Sequence, residues 1–192
     1  MNIKIGYQGL VGSNSEEAAK AFKVNLGLPY AELVPLKSSR NVVLALSNEE
    51  INYGVMAIEN SIGGIVEESK QALESASLLF SGSLSLPIHH SMFFRDENIA
   101  NEDIEAVASH IQALKQSSNL IESEFGKAEL LEMEDTAIAA KMLANDNLNN
   151  NTAIICRKNA GEMYKLYLYK ENIENDSSNQ TTFHIYELAK II

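Results

Sequence analysis

Positive charge is scarce in this chain: 15 Lys and Arg stand against 26 Asp and Glu, a formal net charge of -11 over 192 residues. That balance argues against nucleic acid and anionic membrane as partners, because both would be repelled. Only Arg40, Arg95 and Arg157 carry guanidinium groups. An anionic ligand would therefore need a site built locally from those residues, lysines or backbone amides at helix starts. Cysteine is limited to Cys156, which excludes an internal disulfide and fits a reducing compartment. It ends the run Thr152-Ala153-Ile154-Ile155-Cys156 with no activating base nearby in sequence, and reads as core filler rather than a nucleophile. Long apolar runs are missing too; none approaches the roughly 20 residues needed to span a bilayer. The start, Met1-Asn2-Ile3-Lys4-Ile5-Gly6-Tyr7, enters a strand directly instead of a signal peptide, so a cytoplasmic location is expected. The 4 histidines lack zinc-ligand spacing, and neighbours His89 and His90 in an extended run point to opposite faces, so no metal is expected.

What the chain does contain is ordinary for a globular protein, with 45% hydrophobic and 21% charged residues, enough to bury one domain or two small lobes. Ile3 to Gln8 reads as a strand, followed by a glycine turn and a helix from about Ser15 whose stripe is Ala18, Ala21, Phe22 and Leu26. Ser13 with Glu16 reads as a capping box, with Ser15 as the alternative cap. Asn52 to Ile58 is a second strand, Gly64 to Ala76 a helix, and Ser83 to Phe94 an extended segment passing between lobes. Strands at Ile104 to Ala108, Lys127 to Glu132, Ala153 to Cys156 and Thr182 to Leu188 alternate with helices at Asp135 to Leu143 and Lys158 to Met163. Ser109 with Gln112 reads as another capping box. This alternation predicts an α/β fold with parallel or mixed sheets.

Polar residues gather where strands end, the usual ligand edge of an open α/β sheet. Glu59-Asn60-Ser61 closes one strand and reads either as part of a site or as a helix cap. His110 follows another strand end, over a cleft or as a structural histidine. Thr181, within Asn179-Gln180-Thr181-Thr182-Phe183, could donate a hydrogen bond to a leaving oxygen while accepting one itself. The alternative is a threonine favoured merely because it sits in a strand.

Five ordered segments resemble the prephenate dehydratase family, which includes the plant arogenate dehydratases. These are Tyr7-Gln8-Gly9-Leu10-Val11-Gly12-Ser13-Asn14-Ser15-Glu16, Gly54 to Ser61, Ser109-His110-Ile111-Gln112-Ala113-Leu114, Asp135-Thr136-Ala137 and Asn179 to Phe183. The resemblance runs from Gly6 to Tyr186. It implies two α/β lobes of periplasmic-binding-protein-like (type 2) topology with a site in the cleft between them. Lobe 1 is then residues 1–85 plus 168–192, and lobe 2 residues 86–167. The implied activity is conversion of prephenate to phenylpyruvate with loss of carbon dioxide and water, without metal or organic cofactor. The implied catalytic residue is Thr181, with Glu59 as a relay partner. Ser13, Ser15, Asn60, Ser61, Ser109, His110, Gln112, Thr136, Thr182 and Phe183 are the implied substrate contacts. A small dicarboxylate is the expected partner and a homodimer the expected assembly.

Three departures qualify the resemblance. Thr182 stands where the family carries arginine, and cannot supply its charge or two-pronged geometry. Arg95 and Arg157 are the candidates to compensate. Ile111 replaces the proline after the motif histidine, and Gly63 replaces a common glutamate. The sequence also stops near the end of the catalytic domain, so the regulatory ACT domain of the family is not expected, whether the chain is naturally short or excised. Prephenate decarboxylase and arogenate dehydratase are the alternatives within the fold, and a non-catalytic small-anion binding protein is the alternative outside enzymology.

Overall fold

In the structure, a computed structural model, residues 3–189 are described; Met1, Asn2 and residues 190–192, at the two ends of the expected lobe 1, lie outside the described residues. The chain divides into two units, one running to Ile88 and resuming at Asn179, the other spanning His89–Ser178. Unit 1 contains β1 (Lys4–Tyr7), α1 (Asn14–Asn25), β2 (Glu32–Pro35), α2 (Ser39–Ser47), β3 (Tyr53–Asn60), β4 (Gly64–Ile65), α3 (Glu67–Glu74) and β5 (Leu78–Pro87). Unit 2 follows with β6 (Ser91–Phe94), β7 (Ala106–His110), α4 (Ile111–Gln116), α5 (Ser118–Phe125), β8 (Glu129–Met133), α6 (Thr136–Ala144), β9 (Thr152–Cys156), α7 (Lys158–Met163) and β10 (Tyr167–Glu171). The chain then returns to unit 1 as β11 (Gln180–Leu188). The return comes after Ser178 rather than before residue 168, because β10 pairs antiparallel with β6 and so belongs to unit 2.

Both units are mixed α/β. In unit 1 the strand order is β2-β1-β3-β11-β5, and in unit 2 it is β10-β6-β9-β7-β8. Each sheet has three parallel strands followed by a strand of opposite direction from elsewhere in the chain, which is the type 2 periplasmic-binding-protein arrangement.

In unit 1, one face of the sheet packs Ile5, Tyr7, Val55, Phe183 and Ile185 against Ala18, Ala19 and Phe22 of α1. The other face packs Met56 and Tyr186 against Val42, Val43 and Leu46 of α2 and Ala72 of α3. Gly54 permits the close approach of α2, since a Cβ there would lie 2.6 Å from Val42 and 2.7 Å from Leu46. Unit 2 has its own core, in which Met92, Phe94, Val107 and Ile155 of the sheet meet Leu114, Leu120 and Phe125.

One irregularity in β3 decides which of its polar side chains reach the α1 face. Phe183 lies opposite Ala57, but Thr182 lies opposite Glu59 and Thr181 opposite Asn60, so Ile58 is an extra residue on β3. Val55 and Ala57 face α1, and strict alternation would put Glu59 there next. The bulge reverses this and brings Asn60 to the α1 face beside Thr181, since directly opposed residues share a face.

Candidate active site

Within unit 1, β1 and β3 run parallel and end at one edge of the sheet, where antiparallel β11 begins. The loop after β1 delivers the start of α1 to that edge. Because α1 covers the face that carries Asn60 and Thr181, its first turn and these two residues share both edge and face.

Asn60 is the hub. Its Oδ1 accepts the backbone N–H groups of Ile62 at 3.1 Å and Gly63 at 2.7 Å. Those donors fix the orientation of the amide, so Nδ2 must face the other way. There it donates to Asn179 Oδ1 at 2.7 Å, the Gln180 carbonyl at 3.0 Å and Thr181 Oγ1 at 2.9 Å. Ser61 and Gln180 lock the same corner reciprocally, the Ser61 N–H donating to the Gln180 carbonyl at 2.8 Å and the Gln180 N–H to Ser61 Oγ at 2.9 Å. An amide nitrogen can only donate, so Thr181 Oγ1 is an acceptor in its bond with Asn60 and its own hydrogen points elsewhere. No acceptor for that hydrogen lies among the described residues. Thr181, 8% exposed, is thus a held hydroxyl with a donor to offer. The helix-cap reading of Asn60 and Ser61 is corrected: the residues close a turn, and α3 begins only at Glu67, after Val66.

The glycine turn is built as expected but partly filled. Gly9 and Gly12 both take φ of 91°, in the left-handed region that glycine enters without steric cost. Ser13 Oγ caps α1 by accepting the Glu16 N–H at 3.3 Å. The Glu16 carboxylate reaches back to the Gly12 N–H at 2.8 Å rather than to that of Ser13, and pairs with Lys20 at 3.3 Å. That amide is therefore not open to a ligand. Burial, reinforced by the Glu16 carboxylate, pushes the Tyr7 phenol up. Ser15 is buried in the first turn, and its hydroxyl has no partner among the described residues.

Unit 2 repeats the arrangement at the ends of β7, β8 and β9. Ser109 is fully buried and its hydroxyl donates to the Ile155 carbonyl at 2.6 Å, tying β7 to β9. It is not the helix cap; His110 is, its Nδ1 accepting the Gln112 N–H at 3.3 Å. Gln112 is exposed in the first turn of α4. Asp135 caps α6 by accepting the Ala137 N–H at 2.7 Å, which leaves Thr136 as the first helical residue. Burial raises the Asp135 carboxyl, opposed by the Ala137 N–H and by His110. Arg157 stands where β9 ends and α7 begins. Cys156 is buried core, as expected, and desolvation pushes its thiol up. His89 and His90 have separate partners, Glu174 at 2.7 Å and Gln116 at 2.9 Å.

Three expected site residues are displaced by the fold. Glu59 is exposed on the face opposite Thr181, so it cannot relay a proton to that hydroxyl within unit 1. Thr182 shares that opposite face and bonds Ser85 Oγ at 2.9 Å. Phe183 is 1% exposed and belongs to the core between sheet and α1. Arg95 is also spent: its guanidinium donates to the Leu143 and Ala144 carbonyls at 3.1 and 2.7 Å and pairs with Asp146 at 2.9 Å, closing the end of α6. Two residues were not singled out from sequence. Asn179 is fully buried beside Asn60. Gln8 bonds the Ala57 N–H at 3.2 Å through Oε1 and Glu68 at 2.9 Å through Nε2, supporting β3 just before its bulge. Both sit inside segments already marked by polar residues at strand ends, which was the available signal.

Two α/β units with polar residues at their strand ends, one of them carrying a held hydroxyl, are the class of fold the chain presents. Residues 5–190 match the family model for prephenate dehydratase, and the chain belongs to that family. Arogenate dehydratase/prephenate dehydratase 2, chloroplastic, of Arabidopsis thaliana is 32% identical over 191 residues, 99% of this chain and 48% of that protein. The bifunctional chorismate mutase/prephenate dehydratase of Aquifex aeolicus is 26% identical over 181 residues, 94% of this chain and 48% of its own length. The chain thus spans about half the length of these relatives. The structure of prephenate dehydratase in complex with L-Phe from Arthrobacter aurescens superposes with a TM-score of 0.86 at 21% identity, over 99% of this chain and 61% of that one. Among the described residues no helix is long and apolar enough to cross a membrane, and no group of three or more His, Cys, Asp or Glu could hold a metal ion.

Proposed function

We propose that this chain catalyses the decarboxylative dehydration of prephenate to phenylpyruvate. In that reaction the bond from the ring to its carboxylate breaks and carbon dioxide leaves. The electron pair enters the ring, the ring C–O bond breaks at the opposite carbon, and the departing oxygen takes a proton and leaves as water. Aromatisation supplies the driving force, so the protein's task is alignment and help for the leaving oxygen. The observation that carries the reading is the Asn60 to Thr181 bond, which holds the hydroxyl as an acceptor and leaves its hydrogen to donate. Ser15 and Ser61 at the same edge offer further hydroxyl groups. Gln112, Thr136 and Arg157, at the strand ends of unit 2, are assigned to substrate carboxylate, with Arg157 as the cation. The reading takes the cytoplasm as the compartment and a homodimer as the assembly to be measured.

Arogenate is the second substrate to assay, because several relatives near 30% identity carry arogenate dehydratase in their names. The test incubates the purified chain with prephenate, and separately with arogenate, at neutral pH. Spontaneous conversion is subtracted, and substrate loss and aromatic product are followed together. Equal amounts of substrate lost and phenylpyruvate formed support the reading. Loss without an aromatic product marks a decarboxylase, and tight binding without turnover marks a small-anion binding protein.

A further inference from the structure

We infer that Asn60 is a positioning residue for the Thr181 hydroxyl and not a ligand of the substrate. This rests on the reading that Thr181 donates to the departing oxygen. Every hydrogen-bonding atom of the Asn60 amide is already engaged. Oδ1 takes two backbone N–H groups, at 3.1 and 2.7 Å. Nδ2, with two hydrogens, faces three acceptors within 3.0 Å. A ligand would have to displace one of these bonds, and in a half-buried corner that would strand a polar group.

The polarity of the arrangement matters more than its count. Ile62 and Gly63 can only donate, so the amide cannot turn round; Gln180 offers a carbonyl that can only accept, so Nδ2 is doubly fixed toward Thr181. With Asn60 as donor, rotation about the Cβ–Oγ bond cannot aim the threonine hydrogen at Asn60, and the remaining directions lead away from it. Asn179 Oδ1, in a fully buried residue, holds the amide from behind at 2.7 Å. Asn60 thereby sets which way the hydroxyl donates, while Thr181 meets the substrate.

The discriminating variant is Asn60→Asp, which keeps the shape and the acceptor for Ile62 and Gly63. Its second oxygen replaces a donor by an acceptor, so the Thr181 hydroxyl turns to donate to it. At neutral pH we expect kcat to fall about a hundredfold, with KM within about threefold of the parent value. A KM raised tenfold or more with kcat retained would make Asn60 a substrate ligand and overturn the proposal. In a Thr181→Val background, adding Asn60→Asp should cause no further loss of turnover; a further loss of about the same factor as in the parent would show that Asn60 acts independently. If Asn60→Asp does not unfold cooperatively, Thr181→Ser carries the test. The Asn60 bond should hold the serine hydroxyl and keep kcat within about tenfold, whereas a loss of about a hundredfold would mean that the β-methyl, not Asn60, sets the direction. Absence of turnover by the parent on either substrate removes the functional reading and the proposal together; turnover with a KM effect removes the proposal alone.

Discussion

Glu59 and Thr182 face each other across the β3–β11 pair, on the side of the sheet opposite Asn60 and Thr181. An arginine at 182 would therefore meet the exposed Glu59 carboxylate before it met anything bound near Thr181. Thr182→Arg is expected to add a cross-strand ion pair worth less than about 1 kcal/mol, visible as a small rise in Tm that salt removes. Its kcat should stay within about twofold of the parent value. A large gain in turnover would show that position 182 reaches the substrate.

Thr181→Val removes the hydroxyl and nearly keeps the shape. Asn60 retains Asn179 and Gln180 as acceptors, so the fold should lose little, while turnover falls by about 10²–10⁴. Steady-state kinetics beside a thermal melt separates the two effects. Turnover at the parent rate would end the assignment of Thr181.

Arg157→Met tests the cation assignment. We expect KM for prephenate to rise at least about tenfold, as loss of a charge-assisted contact predicts. An unaltered KM would move the cationic role to another side chain.

Ser39 and Ser69 are fully buried and bond each other, Oγ to Oγ, at 2.7 Å. Either serine changed to alanine strands the other hydroxyl and should cost about 1–3 kcal/mol. The double variant should cost less than the two singles added, because no hydroxyl is then left unpaired. Urea denaturation of the four proteins gives the coupling directly, and strict additivity would mean the two hydroxyls do not depend on each other.

Burial lowers the pKa of His90 below the ordinary histidine value, against the opposing bond to Gln116 and the nearby Glu174 charge. The unfolded chain therefore takes up the proton first as pH falls. Stability from neutral His90 is complete above the unfolded value of about 6.5 and is lost as pH drops from there toward the lower native pKa. His184, also lowered by burial, acts in the same direction. Unfolding free energies measured across this range should fall with acid, and His90→Gln should flatten the slope. An unchanged slope would show that His90 is not a source of it.

The alternation of strands and helices was legible because most elements carry a clear period: β9 and α6 occur where their apolar runs placed them, and α1 buries Ala18 and Phe22 of its expected stripe, while Leu26 is its exposed C-cap and Ala19 takes the buried place. The segment holding β2 and α2 was not assigned. Val42-Val43-Leu44-Ala45-Leu46 is a continuous apolar run, and such runs do not distinguish a buried strand from a helix. β10 went unassigned as well, since Tyr167–Glu171 is only five residues long and becomes a strand by pairing with β6. At the site, the strand-end positions of Thr181 and Asn60 were legible, and the structure joins the two by a hydrogen bond. The facing of Glu59 was not, because alternation counted from Val55 gives the wrong side once Ile58 is extra.

That extra residue makes the chemistry of this edge depend on arithmetic as well as on identity. Pair Ile58 with Thr182 in a regular ladder, keeping every side chain, and the odd and even positions beyond it exchange sides. A carboxylate would then stand beside the threonine hydroxyl and absorb its hydrogen, with the amide turned to the opposite face. A shift of register here is therefore an active-site substitution in disguise, and a comparison that scores only which residues are present would overlook it.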